Sequence, residues 1–183
     1  MLTVALLAGS FILVFIIYMF NKLIRQKNMV AEAWSGIDVQ LKKRYNLIPN
    51  LVSTVKGYAK HETELFETVT ALRNEGMNTK SVTDQGKVED RITDTLSKVF
   101  VAVEAYPDLK ANVNFLDLQK QLTEIENDLQ MARRYYNGAT RDNNILIQSF
   151  PSNLVAGVFN FKEQPFFEIH DIQQRINPEV KLS

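Results

Sequence analysis

Between Phe115 and Phe150 one set of positions recurs at alternating steps of three and four without a slip: Phe115, Leu118, Leu122, Ile125, Leu129, Ala132, Tyr136, Ala139, Asn143, Leu146 and Phe150. That spacing is the a/d seam of a heptad repeat, sustained for about five heptads on a helix roughly 54 Å long. A stripe this narrow and continuous must be buried against another long helix, so a strand-based fold is excluded for this stretch. Asn143 is the one strongly polar position on the seam, and a buried Asn there sets register or partner number. Pro151 forces Phe150 out of the helical region and ends the helix.

An earlier seam supplies a partner. Val30, Trp34, Ile37, Leu41, Tyr45, Ile48, Val52, Val55 and Ala59, continued by Phe66 and Val69, predict a helix reaching about Arg73. The successive steps of four from Ile37 to Leu41 to Tyr45 form a stutter that unwinds a supercoil locally. Pro49 then removes the amide that would bond the carbonyl of Tyr45, which predicts a bend without a break. The polar run Asn74 to Gly86 reads as a loop. A third helix is expected after a cap at Thr83 or Asp84, with Val88, Ile92, Leu96, Val99 and Val103 on its inner face. AYPDLKAN, residues 105–112, reads as a corner in which Pro107 stops one helix and Asn112 or Asn114 caps the next. After Pro151 the periodicity weakens around Phe159, Phe161, Phe166 and Phe167, and a loose tail is expected from Asp171.

Composition agrees. Seven glycines and five prolines in 183 residues leave too few turns for an all-β fold. The length suits one domain, and the 21 basic and 21 acidic residues balance, so nucleic acid is not an expected partner. There is no cysteine, which removes disulfides, thiol nucleophiles and most structural zinc sites.

Leu2 to Phe20, LTVALLAGSFILVFIIYMF, carries no charge. As a helix it is about 28 Å long, close to the hydrocarbon thickness of a bilayer. A cleaved signal peptide would show a basic segment before a shorter apolar run and small residues after it. Here nothing basic precedes the run, and Tyr18, Phe20 and Lys22 follow or close it. The expectation is therefore a retained anchor at 1–21 that meets the lipid bilayer through residues 2–20, a bundle domain at 22–168 and a flexible tail at 169–183. Lys22, Arg25 and Lys27 flank only its C-terminal side, and the positive-inside rule puts that flank in the cytoplasm of a single-pass inner-membrane protein. A periplasmic domain is the alternative.

Chemistry is sparse. His61-Glu62 begins a metalloprotease pattern, but Leu65 occupies the position of its second histidine, and His170 lies in another region. No phosphate-binding loop, dinucleotide fingerprint or nucleophile elbow occurs, so no catalytic residue, metal site or cofactor is assigned. Three clusters are candidate interaction sites. Lys42, Lys43 and Arg44 form either a solvated face pairing with a neighbouring helix or a docking patch; they lie over roughly 30 Å along the helix from the anchor, beyond the reach of lipid charge. Arg133, Arg134 and Tyr135 flank seam position Tyr136 and suit inter-helix hydrogen bonding or stacking on a ligand. Phe159, Phe161, Phe166 and Phe167 either close the bundle end or present a hook to another subunit.

Four stretches carry a resemblance: AWSGIDVQLKKRYNLIPNLVSTVKGYAKHE (33–62), AYPDLKAN (105–112), ARRYYN (132–137) and FPSNLVAGVFNF (150–161). Together they resemble the LemA family of bacterial proteins over most of the chain from Ala31 to Phe167. The resemblance implies an all-α protein, with an N-terminal transmembrane helix followed by an elongated bundle of long antiparallel helices. It implies no enzyme activity, and a magnetosome-associated relative suggests membrane-organelle work. Some relatives carry a lipoprotein-type signal and face the periplasm; this sequence lacks the cysteine that signal needs. The expected function is a membrane-anchored scaffold working through a homo-oligomer or another membrane protein. A peptide- or lipid-binding module using the aromatic C-terminal segment is the runner-up, and an enzyme of undetected class comes third.

Overall fold

The computed structural model describes residues 1–59 and 62–167. Every regular element among them is helical: α1 Leu2–Lys56, α2 Thr63–Asn78, α3 Val82–Val103, α4 Pro107–Lys110, α5 Val113–Gln148 and α6 Ser152–Val158. The all-α expectation holds, and α1 with 55 residues and α5 with 36 are the long helices that the seams required. His61, His170 and the tail at 169–183 lie outside the described residues.

Two compact units share these helices. The first comprises Met1–Gln40 and Asp128–Phe166, which pairs the beginning of α1 with the end of α5 and adds α6. Leu23, Val155 and Ala156 form its buried cluster, packed round by Phe15, Ile16, Met19, Phe20, Leu146, Ile147 and Phe161. Leu23 thus meets the end of α5, the Gln26 amide donates to the Ala139 carbonyl (3.2 Å), and the Trp34 ring lies 5.5 Å from that of Tyr136. Those pairings run in opposite senses along the two helices, so α1 and α5 are antiparallel here.

The second unit comprises Leu41–Asn127 with Phe167. Ile48, Leu51 and Val55 of α1, Phe66, Val69 and Leu72 of α2, Ile92, Leu96 and Val99 of α3, and Phe115 and Leu122 of α5 fill its interior. Each such side chain contributes about 1.5–3 kcal/mol on leaving water. The α2–α3 pair is a hairpin with a three-residue turn, Thr79 to Ser81. The Ser81 hydroxyl accepts the Asp84 amide as an N-cap, and the Asn112 side chain accepts the amides of Asn114 and Phe115 to start α5.

Four expectations need correction. The first seam does not continue as one helix to Arg73: α1 stops at Lys56 before Gly57, and α2 starts afresh at Thr63. Glycine lacks the side-chain restriction that favours a helix, and this one was underweighted as a stop. Most of the expected loop at 74–86 is helix, because Gly76, Gln85 and Gly86 are buried contacts and not solvated turn residues. The cap of α3 is Ser81, not Thr83 or Asp84. Phe150, assigned to the end of the α5 seam, is exposed after α5 has finished. The rest of the seam is buried or half-buried, and on α1 Leu51 rather than Val52 takes the deeper position.

Candidate functional site

The deepest polar residues of the second unit come together around Arg44. Its guanidinium is fully buried and donates to Glu89 Oε2 (3.0 Å) and to the Thr93 hydroxyl (2.8 Å). The Glu126 carboxylate of α5 lies 2.8 Å from Nη2. Beside it the Tyr45 hydroxyl donates to the other Glu89 oxygen, and the Gln85 amide donates to Tyr45 Oη and Glu89 Oε1, both at 2.8 Å. Gln85, Glu89 and Thr93 recur every four residues and so form one polar stripe on α3, next to its apolar face. Burial, and then the Glu89 charge and hydrogen bond, push the Tyr45 phenol far above its ordinary value, so it is a proton donor at any physiological pH. The knot needs Gly76. A Cβ there would stand 3.0 Å from Tyr45 Cζ and 3.2 Å from Glu89 Oε1, closer than packed carbon atoms tolerate.

Pro49 lies inside α1, which continues past it to Lys56. The missing amide leaves the Tyr45 carbonyl without its helical donor. Arg73 of α2 replaces it: its Nε donates to that carbonyl at 2.7 Å. The proline is thus the reason a charged side chain from another helix is needed here.

The candidate clusters divide on inspection. Within Lys42-Lys43-Arg44 the two lysines are exposed, whereas Arg44 is the centre of the buried knot. A solvated face pairing with a neighbouring helix was one of the two expectations; Arg44 does pair with Glu89 and Glu126, but it is fully buried and so is not available as a docking residue. Arg133 is half-buried, while Arg134 and Tyr135 are exposed. Tyr136 between α1 and α5 is buried and donates its hydroxyl to the Pro165 carbonyl (2.9 Å), and burial raises its pKa. Phe167 is buried and Phe161 half-buried, but Phe159 and Phe166 are exposed. Phe159 and Phe161 both pack on Phe20, the first tilted and the second edge-on, with ring centroids 4.8 and 5.8 Å away.

Glu89, Glu126, Gln85, Gly76 and Arg73 were missed from sequence; the four-residue spacing of the α3 stripe was their one readable sign. Asn144 was missed too. Its side chain clamps the backbone of Gln164 by donating to the carbonyl and accepting from the amide, both at 2.9 Å. Asn143, the polar seam position, is buried and donates to Asn144 Oδ1 (3.1 Å) on its own helix.

The remaining surfaces are of two kinds. A shallow polar groove is lined by Glu62, Glu64, Leu65, Thr68, Thr95 and Lys98. Among the described residues no three metal-ligating side chains gather. The start of α1 is different in kind: it is apolar and long enough to cross a membrane, and no residue of its apolar window is fully buried.

Some partners in these contacts fall on the stretches quoted above, while Arg73, Gly76, Gln85, Glu89, Thr93 and Glu126 lie outside them. Arg44, Tyr45 and Pro49 lie in 33–62, Tyr136 in 132–137, and α6 in 150–161. The LemA family model matches residues 33–182, which is most of the chain. The chain belongs to the LemA family. It is similar to the protein LemA of Metamycoplasma hominis, 25% identical over 155 residues that cover 84% of this chain and 71% of that protein. It is also similar to two magnetosome proteins, MamQ 1 and MamQ 2 of Paramagnetospirillum magneticum. Each is 22% identical over 175 residues that cover 81% of this chain and 64% of its own length. For this LemA-family chain, the shared region therefore carries the knot, the Pro49 substitution of donors and α6 together.

Proposed function

We propose that this chain is a single-pass membrane-tethered helical scaffold that works by self-association or by holding another membrane protein, and not by catalysis. The observation that carries the reading is the apolar start of α1, whose residues 2–14 are all exposed. Water would be a poor environment for Leu6, Leu7, Phe11, Ile12 and Leu13 side by side, whereas a bilayer is a good one. The basic flank Lys22, Arg25 and Lys27 favours a cytoplasmic domain over a periplasmic one. A non-catalytic role is supported by the fate of the buried ionisable groups: Arg44, Glu89, Glu126 and Tyr45 are spent on one another. Two relatives are named as magnetosome proteins, and a tethered scaffold fits work at such a structure.

Lysine-directed crosslinking of the intact protein in native membranes tests the scaffold. Discrete species larger than the monomer, each containing this chain, are expected; monomer alone at every reagent concentration would overturn the reading. Orientation has its own measurement. A Lys80→Cys variant should resist membrane-impermeant thiol reagents in intact cells, and ready labelling would put the domain on the outer side. The lipid-contact alternative is favoured by one specific observation, the exposed apolar face around α6, which is taken up below.

A further inference from the structure

We propose that α6 and its flanks, residues 150–161, form a second membrane-contacting element: a short helix docked on the anchor and sunk into the interface of the leaflet next to Lys22. The inference rests on the reading of Leu2–Phe20 as a membrane span. It starts from what α6 packs against. Its buried face, Ser152, Val155 and Ala156, lies with Leu23 against Phe15, Ile16, Met19 and Phe20, so α6 is fastened to the last two turns of the apolar run. Phe159 and Phe161 close over Phe20 from the far end of the same segment. At 1.5 Å per residue, Phe15 lies only about 8 Å inside the boundary marked by Phe20. A helix lying in the membrane interface is buried by about 5–10 Å, which is the depth this packing imposes.

The other face of the segment is apolar and bare. Phe150 and Val158 are each 80% exposed, Leu154 62% and Phe159 49%. Leu154 and Val158 are one helical turn apart and therefore share a face. Between Asp142 and Lys162 the sequence has no charge at all. Lys162 then follows Phe161 as Lys22 follows the anchor, and long lysine side chains reach head groups from such positions. Backbone groups at the turn into α6 are also provided for: the Ser152 hydroxyl lies 2.6 Å from the Leu146 carbonyl and 2.9 Å from that of Ser149, at the end of α5. At the exit, the Phe161 amide donates to the Ala156 carbonyl (2.9 Å). A water-poor environment requires such internal satisfaction. Continuity with the span is what selects lipid as the occupant of this face, since any covering protein would have to sit at the same depth.

The absence of native cysteine makes single-site probes clean. The full chain, carrying one environment-sensitive fluorophore at Leu154→Cys or Val158→Cys, is reconstituted into phosphatidylcholine–phosphatidylglycerol vesicles. Lipids with a doxyl quencher high or deep on the acyl chain are then added. Ile12→Cys serves as the anchor control and Val101→Cys, exposed on α3, as the control in the second unit. The expected result is loss of emission at Leu154→Cys and Val158→Cys with the shallow quencher, at Ile12→Cys with the deep one, and none at Val101→Cys. Quenching at Ile12→Cys but not at 154 or 158 overturns the proposal and leaves the anchor intact. No quenching at Ile12→Cys overturns the anchor reading itself. Blue-shifted emission at 154 and 158 without quenching means that protein covers the face, and likewise overturns the proposal.

Discussion

The two units use the same pair of helices, yet hold them by different means. In the first, α1 and α5 meet through Leu23, Trp34, Tyr136 and Leu146, and three polar contacts run from side chain to backbone: Gln26 to Ala139, Asn144 to Gln164, Tyr136 to Pro165. In the second, a fully buried arginine, the Glu89 carboxylate, a tyrosine phenol and a glutamine bond one another, and the half-buried Glu126 carboxylate pairs with the arginine. Apolar contacts tolerate a shift of one turn along a heptad seam, because the next turn offers another apolar residue. A buried ion pair does not, since any other register leaves a charge unpaired. The difference teaches that the heptad pattern brings the helices together, and the knot fixes which residue meets which.

Removing the centre of the knot should produce the largest effect. Arg44→Met leaves Glu89 buried without its counter-charge, which costs about 3–5 kcal/mol. Leu129→Ala in the first unit, a buried position on the same α5, costs a comparable 2–5 kcal/mol or so by leaving a cavity. The two losses differ in how they respond to a second change. Adding Glu89→Met to Arg44→Met should recover most of the stability, because no fully buried charge is left unpaired and Glu126, a quarter exposed, still reaches water, whereas no single apolar change elsewhere refills the Leu129 cavity. Denaturant unfolding of the full chain in detergent micelles reads both. A double variant no better than Arg44→Met alone would break the comparison by showing that packing, not charge, sets the cost.

Pro49 and Arg73 test the same contrast on a smaller scale. Arg73→Met strands the Tyr45 carbonyl, and a buried acceptor without a donor costs about 1–3 kcal/mol. In a Pro49→Ala background the restored amide can close the helical bond itself, so Arg73→Met should then cost much less. The coupling between the two sites, read by the same unfolding measurement, is the expected signature. Equal costs in both backgrounds would mean that Arg73 acts through something other than the orphan carbonyl.

Much of this frame was legible. The seams place α5 and most of α1, the apolar run places the exposed apolar start of α1, and Val88, Ile92, Leu96, Val99 and Val103 are all buried as the period of α3 requires. The Pro49 argument even named the carbonyl that needed a donor. What escaped was polar residues doing interior work. Gln85 and Glu89 read as surface because their type is usually exposed, and Gly76 read as a turn because glycine usually is one. Their placement depends on partners from α1 and α5 far away in sequence, so no local window contains the information. The aromatic cluster kept two readings open for the opposite reason: its composition announces burial, but what Phe159 faces depends on where Phe20 ends up.

The smallest effect concerns two tyrosines, one from each unit. Burial raises the pKa of Tyr45 and of Tyr136, and Glu89 raises that of Tyr45 further. Up to about pH 10, the ordinary tyrosine value, both phenols are protonated in the folded and unfolded chains alike and pH has no leverage on stability. Above it the unfolded chain releases these protons while the fold retains them, so stability falls as pH rises. Each retained proton costs up to about 1.4 kcal/mol per pH unit. Tyr136→Phe should remove one share of that alkaline slope, but only up to the pH at which its own folded phenol ionises. Tyr45→Phe should remove a share that persists to higher pH, because the neighbouring carboxylate opposes a second negative charge. Comparing slopes rather than absolute stabilities separates this effect from the hydrogen bonds each substitution deletes. Phenolate absorbance gives an independent reading: Tyr45→Phe should remove a share of the absorbance that otherwise appears only as the fold is lost. An alkaline slope unchanged by Tyr45→Phe would mean that the knot admits water, and that its arginine and carboxylates are not held in the dry interior that separates this unit from the other.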